Sequence, residues 1–119
     1  MSLHDDQLRK PECKRIAAAF RSIRKAGGMT QTGLCCQSCS WGAVDDKGAT
    51  ETTTVAIYHA QGRNAAWPEG QNRRMRQALH IYHSGDSRSV YEALQNQGLR
   101  VEWNGSADEA IVVLPDLFN

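Results

Sequence analysis

Three of the four cysteines in this chain fall within five residues, and they are the strongest indication of chemistry in the sequence. They are Cys35, Cys36 and Cys39, and the last two form a C-x-x-C pair. In a tight turn this spacing brings two thiolates to one metal ion, and zinc prefers four ligands in a tetrahedron, with sulfur at about 2.3 Å. These three residues, called the cysteine cluster below, therefore predict half of a zinc site.

Histidine is the candidate for the other half of the zinc site. The β-hairpin described below places Cys39 opposite Tyr58 and Ser38 opposite His59, so that His59 lies beside the cysteine cluster. We therefore hypothesise a zinc site formed by Cys36, Cys39, His59 and one further ligand. The candidates for that further ligand are Cys35, Cys13, His80 and His83. Cys35 and Cys36 point to opposite sides of an extended chain, so only a curled backbone lets both bind one ion.

The C-x-x-C pair has a second interpretation as a redox-active dithiol, in which one thiolate attacks a disulfide and its partner resolves the mixed disulfide. A thioredoxin-like motif follows a strand and begins a helix, whereas this one precedes a predicted hairpin, so we rank redox chemistry below zinc. A third interpretation, which we rank above the other two, is that these small thiols only pack beneath the first helix. We assign no catalytic residue and expect a binding or structural domain rather than an enzyme.

Basic residues suggest nucleic-acid binding as a further function. Residues 1–76 carry 12 Lys/Arg against 7 Asp/Glu, whereas residues 77–119 carry 2 against 6. The basic residues are those of the first helix together with Arg63, Arg73, Arg74 and Arg76, and Trp41 and Trp67 are candidates for stacking on bases. A net charge of +1 disfavours this function. The charge split also suits contact between two copies, so a homodimer through an exposed strand edge is the partner we consider.

Length and composition limit the chain to one domain. Its 119 residues are 40% hydrophobic and 23% charged, as in soluble globular proteins, which excludes a wholly disordered chain. Residues 1–10 are expected to form a flexible tail. No window approaches the roughly 18 consecutive apolar residues of a membrane span, and the first residues lack the apolar core of a signal peptide. We therefore expect a cytoplasmic protein with no membrane partner.

Apolar periodicity predicts the elements that position these side chains. Helices are predicted over residues 11–26 and 87–97, where apolar residues recur every three or four positions. Strands are predicted over residues 40–45, 52–59, 78–83, 99–103 and 111–114, the first two forming a hairpin. Residues 29–33 read as a polar passage, and residues 60–76 read as a loop with at most a short helical turn.

Together these elements predict an α+β domain, with a mixed sheet of about five strands and two helices on one face. The strand at 78–83, the helix at 87–97 and the strand at 99–103 form a candidate βαβ unit, whose two strands are expected to be parallel. The last two strands are expected to form an antiparallel hairpin. The sequence contains no internal repeat.

Three segments resemble a bacterial family of uncharacterised domains. Its members share a Cys-Cys-x-x-Cys segment, a Tyr-His-x-Gln strand end and a Gly-Leu-x-Val-x-Trp-x-Gly tail. The corresponding segments of this chain are residues 34–39, 58–61 and 98–105. The resemblance extends from about residue 20 to residue 114.

The resemblance implies little about activity, because members of the family are known only as domains of unknown function. It favours His59 and Gln61 over His80 and His83 as partners of the cysteine cluster. The residue after the glutamine is commonly aspartate in that family and is Gly62 here, which argues against any role that needs a carboxylate at this position.

Overall fold

The computed structural model describes residues 11–34, 37–70 and 74–115. Within these ranges four helices and five strands follow one another: α1 (Glu12–Lys25), β1 (Met29–Thr32), α2 (Gln37–Asp46), β2 (Val55–Tyr58), α3 (Ala60–Ala66), β3 (Leu79–Ser84), α4 (Ser87–Asn96), β4 (Arg100–Glu102) and β5 (Ile111–Leu114). The strand order in the sheet is β1-β2-β3-β5-β4. Strand β1 runs parallel to β2, and every other neighbouring pair is antiparallel. The predicted α+β class with a five-stranded mixed sheet is confirmed.

Helix α1 forms where its apolar periodicity predicts it. Ile16, Ala19, Phe20 and Ile23 recur at helical spacing and are buried. The helix ends in a tight turn in which the amide of Gly28 donates to the carbonyl of Ile23, and β1 starts at the next residue. Because of this turn, the start of α1 lies near the end of β1.

The sheet carries helices on both faces. Side chains alternate along β2, so that Ala56 and Tyr58 join the large core formed with α1 and α4, whereas Val55 and Ile57 pack against Val44 of α2. All four residues of β2 are buried, as expected for a strand covered on both sides. The predicted pair of helices on one face corresponds to α1 and α4, and α2 adds a third layer. None of the described helices is long and apolar enough to cross a membrane.

The predicted hairpin between residues 40–45 and 52–59 is wrong. Residues 37–46 form α2, and the segment at 45–48 ends this helix instead of turning a hairpin. The amide of Ala49 donates to the carbonyl of Val44, and that of Gly48 to Asp45, which is the Schellman pattern of a helix C-terminus. Aspartate and glycine favour hairpin turns and helix C-termini alike, so the local sequence does not distinguish the two.

Two further segments also differ from the prediction. The polar passage is strand β1, and its polar residues are tolerated because it is an edge strand of the sheet. The segment read as a loop contains α3, which begins at Ala60. With α2, strand β1 gives the fold a βαβ unit of adjacent parallel strands, β1–α2–β2.

The C-terminal half follows the prediction more closely. Strands β3 and β4 are both antiparallel to β5 and therefore parallel to each other, but β5 lies between them. The two strands of the predicted βαβ unit are therefore parallel, as expected, but they are not neighbours in the sheet. The predicted C-terminal hairpin is confirmed, with Val101 paired to Val113.

Candidate functional site

The parallel strands β1 and β2 end together at one edge of the sheet, called the carboxyl edge below. Thr32 of β1 pairs with Tyr58 of β2, and just beyond them the amide of Ala60 donates to the carbonyl of Leu34 at 2.6 Å. Polar side chains that follow parallel strands meet at such an edge, where α/β proteins commonly bind ligands. This edge therefore gathers the chain segments that follow both strands.

The C-x-x-C pair belongs to the segment that follows β1. Cys35 and Cys36 lie outside the described residues, between Leu34 and the first residue of α2 in the sequence. Cys39 is the third residue of α2, and its side chain is exposed. The motif therefore occupies the sequence interval between the end of a strand and the first turn of a helix.

The predicted pairing of Cys39 with Tyr58, and of Ser38 with His59, is wrong because Ser38 and Cys39 are helical. His59 follows β2 at the carboxyl edge and begins α3. Its Nδ1 accepts a hydrogen bond from the amide of Gly62 at 3.1 Å, and its ring stacks on Tyr82 with the ring centroids 5.8 Å apart.

The capping bond fixes the proton of the His59 ring. Because Nδ1 accepts from a backbone N–H, a neutral imidazole carries its proton on Nε2. Among the described residues this Nε2–H has no hydrogen-bond acceptor. A metal would need the lone pair of Nε2, so metal binding through this atom requires the ring to change tautomer and give up its capping bond.

Tyr58 lies on the other face of the sheet, beside Cys13 of α1. Burial and, to a smaller extent, the neighbouring Cys13 raise the pKa of Tyr58 to about 12, against the opposing effects of Arg63 and a hydrogen bond with Thr32. Burial also raises the pKa of Cys13, which Arg63 again opposes. Both groups are therefore neutral near pH 7, and both lie within the field of the same guanidinium.

Arg63 is the cation of this edge. It is half-buried in α3, four residues after His59. Its guanidinium lies against the backbone of Gly33, where an added Cβ would be 3.0 Å from Nη1. In the part of the chain that the structure describes, no carboxylate pairs with it. Arg63, in the segment that follows β2, therefore lies close to the backbone of the segment that follows β1.

A second donor without an acceptor lies nearby. Trp67 is 3% exposed, and its indole Nε1–H has no partner within the described ranges. Its ring centroid is 6.5 Å from that of Tyr58, and its amide donates to the carbonyl of Arg63. This burial rules out the predicted stacking of Trp67 on nucleic-acid bases.

The remaining histidine candidates lie on β3. His83 is 6% exposed and both its ring nitrogens are engaged, Nδ1 with the hydroxyl of Ser87 at 2.5 Å and Nε2 with the carbonyl of Glu109 at 2.6 Å. His80 is exposed. No group of three or more potential metal ligands occurs among the described residues, which exclude Cys35 and Cys36.

Sequence reasoning missed Arg63 and Trp67 as parts of this edge. The sequence alone places Arg63 in a basic surface and Trp67 among the aromatic residues that could stack on bases. The signal that could have found Arg63 is its position one helical turn after His59, once α3 is recognised.

Comparison with known proteins identifies a family. Residues 8–117 match the family model described as "Domain of unknown function (DUF6891)". No curated protein matches the chain, and no solved structure does.

Proposed function

Since the chain belongs to the DUF6891 family, whose description states no activity, we propose from its geometry that it is a thiol–disulfide redox protein using Cys36 and Cys39. The observation that supports this is the placement of the C-x-x-C pair between the end of β1 and the first turn of α2. A strand followed by C-x-x-C and a helix, within a βαβ unit, is the context that thioredoxin-like chemistry requires.

The start of α2 favours a thiolate. The first amides of a helix have no carbonyl partner within the helix, and the helix dipole places partial positive charge at this end. Cys39 lies in this first turn and is exposed, so an incoming disulfide can reach it. We therefore assign Cys39 as the attacking thiol and Cys36 as the resolving thiol.

The reaction consumes a disulfide substrate and a dithiol reductant. The Cys39 thiolate attacks one sulfur of the substrate, the substrate S–S bond breaks, and the departing thiolate takes a proton from water. Cys36 then loses its proton to water and attacks Cys39 in the mixed disulfide, which releases the second substrate thiol. The substrate gains two electrons and the protein is left with a Cys36–Cys39 disulfide, which an external dithiol reduces.

Zinc binding by Cys36, Cys39, His59 and Cys35 is the second candidate. It is supported by the parallel pairing of β1 and β2, which places His59 at the edge where the described residues flanking Cys35 and Cys36 also lie. The capping bond at His59 Nδ1 weighs against it, since a ligating Nε2 cannot keep its proton. We rank redox chemistry first for this reason.

Titration of thiols in the purified, untagged protein distinguishes these functions. The redox proposal predicts fast modification of Cys39 in native protein without chelator, abolished by Cys39→Ser and not by Cys13→Ser. Thiols released only by chelator, with bound zinc near one equivalent, would support the zinc site and overturn the redox proposal. Thiols released only by denaturant would show that the cysteines serve packing alone, and this result would overturn both the redox and the zinc proposal.

The setting of the protein is also a proposal. A reducing cytoplasm suits a protein that works as a dithiol. A second copy is the partner we favour over nucleic acid, because β1 and β4 are the outer strands of the described sheet and Trp67 is buried. Sedimentation over a range of concentrations tests the homodimer, and a monomer at every concentration would contradict it.

A further inference from the structure

Strand β4 is an outer strand of the sheet. On one side it pairs with β5, and on the other side it has no strand neighbour among the described residues. The outer side of such a strand presents backbone N–H and C=O groups with which another strand can pair. The sequence of β4, Arg100-Val101-Glu102, places one cation and one anion on the two sides of a valine.

The residues of β4 are complementary to themselves in an antiparallel pair. When a second copy of β4 pairs with the first about a two-fold axis at Val101, Val101 faces its own counterpart and each Arg100 faces the partner's Glu102. Side chains alternate along a strand, so both ion pairs lie on one face of the sheet and the two valines lie on the other. Opposite charges directly across an antiparallel pair stabilise it, whereas like charges destabilise it.

Both charged side chains of β4 can reach a second copy. Arg100 and Glu102 are exposed. Nη1 of Arg100 donates to the carbonyl of Pro115 at 2.7 Å, and a guanidinium has further N–H groups with which to bind a carboxylate. The contact with Pro115 therefore anchors the arginine without using all of its donors.

An open groove with apolar walls lies beside β4. Its volume is about 500 Å³, and Val101, Trp103 and Tyr91 of α4 are among the residues that line it. All three side chains pack against the large core but are only partly buried. A second copy paired along β4 brings its own Val101 beside this groove, which removes further apolar surface from water.

The other outer strand, β1, carries charges of one sign. Nη1 of Arg24 donates to the hydroxyl of Thr30 at 2.8 Å, and Nζ of Lys47 donates to the side-chain oxygen of Gln31 at 2.9 Å. Both cations therefore lie beside β1, where a second copy of this strand would bring like charges together. Charges of this kind protect edge strands of natural sheets from pairing.

We propose that two copies of this chain associate through β4, antiparallel about a two-fold axis at Val101, so that the five strands of each copy form one continuous sheet. A second copy is the occupant because β4 itself supplies both members of each ion pair. This inference rests on the second-copy partner proposed above, whose interface it assigns, and it does not depend on the redox function.

Charge reversal on β4 tests this interface in solution. Sedimentation velocity over a range of concentrations gives the dissociation constant of the wild-type dimer. Glu102→Arg sets like charges opposite each other at two symmetric places, so we expect this constant to rise about tenfold or more. Combining Glu102→Arg with Arg100→Glu restores both ion pairs in reverse order and should return the constant to within about threefold of wild type.

A charge control and a cross-link make the test specific to β4. Glu51→Arg makes the same change of charge at an exposed turn before β2 and should leave the dissociation constant unchanged. Val101→Cys, in a chain whose four native cysteines are replaced by serine, brings two thiols across the axis at a spacing that suits a disulfide. Oxidation should double the mass of this variant, whereas Ala17→Cys, exposed on α1, should stay monomeric in the same background.

The outcomes distinguish the interface from the second-copy partner itself. A dimer that Glu102→Arg leaves intact, or a dimer that Val101→Cys does not cross-link, would overturn pairing through β4 while leaving the homodimer standing. A wild-type protein that is monomeric at every concentration would overturn both. The redox function is tested separately, by the reactivity of Cys39.

Discussion

The antiparallel and the parallel half of the sheet each carry a histidine near a strand end, and the two histidines differ in their hydrogen bonds. In the antiparallel half, His83 donates from Nε2 to the carbonyl of Glu109 and accepts at Nδ1 from the hydroxyl of Ser87, and its ring makes a T-shaped contact with that of Trp103. In the parallel half, His59 uses only Nδ1, to cap α3. Among the described residues, its Nε2–H has no acceptor.

Both ring nitrogens of His83 are used within the fold, whereas His59 keeps one ring nitrogen without a described partner. The satisfied imidazole of His83 fastens β3, the start of α4 and the loop before β5 to one another. At the carboxyl edge, Arg63 and Trp67 also carry donors without described acceptors. Buried polar groups are normally paired, and of these donors only the Trp67 Nε1–H is both buried and without a partner among the described residues.

The largest expected effect is in the antiparallel half, at the turn between β3 and α4. Gly85 has a positive φ of +70°, and a Cβ on it would overlap the carbonyl oxygen of Thr53. We expect Gly85→Ala to lower the free energy of unfolding by about 3 kcal/mol or more, because both the backbone conformation and the space oppose a side chain. Urea denaturation measures this, and a loss below about 1 kcal/mol would contradict the packing of this turn.

The two histidines should differ when each is truncated. His83→Ala leaves the Ser87 hydroxyl and the Glu109 carbonyl without their partner, and we expect a loss of about 3 kcal/mol. His59→Ala removes one helix cap and should cost about 1 kcal/mol, most of which His59→Asn restores. Equal losses at the two positions would remove the distinction between the halves.

Because of Tyr58 in the parallel half, the free energy of unfolding should depend on pH in the alkaline range. Its pKa is raised from 10.0 to about 12, so between these values the unfolded phenol ionises while the folded one stays protonated. The folded state then binds more protons, and the free energy of unfolding should fall as pH rises from 10 to 12, by about 2 to 3 kcal/mol in total.

Substitution to phenylalanine isolates the contribution of Tyr58. Tyr58→Phe should flatten the decline above pH 10, whereas Tyr91→Phe serves as the matched control. A decline of the same steepness in wild type and Tyr58→Phe would show that Tyr58 is not held protonated by its surroundings.

The smallest expected effect is in α2. Gly42 lies inside this helix, and a Cβ there would have no atom within 4 Å beyond its own helix and chain neighbours. Gly42→Ala should therefore raise the free energy of unfolding by about 0.5 to 1 kcal/mol, through helix propensity alone. The rate of thiol modification should stay unchanged, and destabilisation would argue against a helix at this position.

The sequence predicted the elements with strong periodicity and missed those without it. Helices α1 and α4 and strands β3 and β5 present regular apolar faces, and their residues lie where expected. Helix α2 places only Val44 and, in part, Trp41 as large apolar residues on its sheet face, together with the buried Ser40. Strand β1 reads Met-Thr-Gln-Thr, so neither element has a pattern that distinguishes it from a turn or a loop.

The site depends on contacts that local patterns do not record. Arg63 and Gly33 are thirty positions apart and meet only because β1 and β2 are parallel. The sequence singled out the cysteine cluster and His59 from their residue types, but it joined them through a hairpin that does not exist. With β1 assigned as a strand, the C-x-x-C pair would be predicted at a junction between a strand and a helix instead of before a hairpin.

The redox state of Cys36 and Cys39 tests the central claim most directly. A variant with Cys13→Ser and Cys35→Ser keeps only these two thiols. It can be equilibrated in dithiothreitol buffers of graded potential and then alkylated. The mass of the intact protein reports how many thiols were alkylated at each potential. We predict that both thiols disappear together in one two-electron transition and that digestion recovers a Cys36–Cys39 disulfide. Alkylation of both thiols at every potential, or their loss one at a time, would contradict a redox-active dithiol.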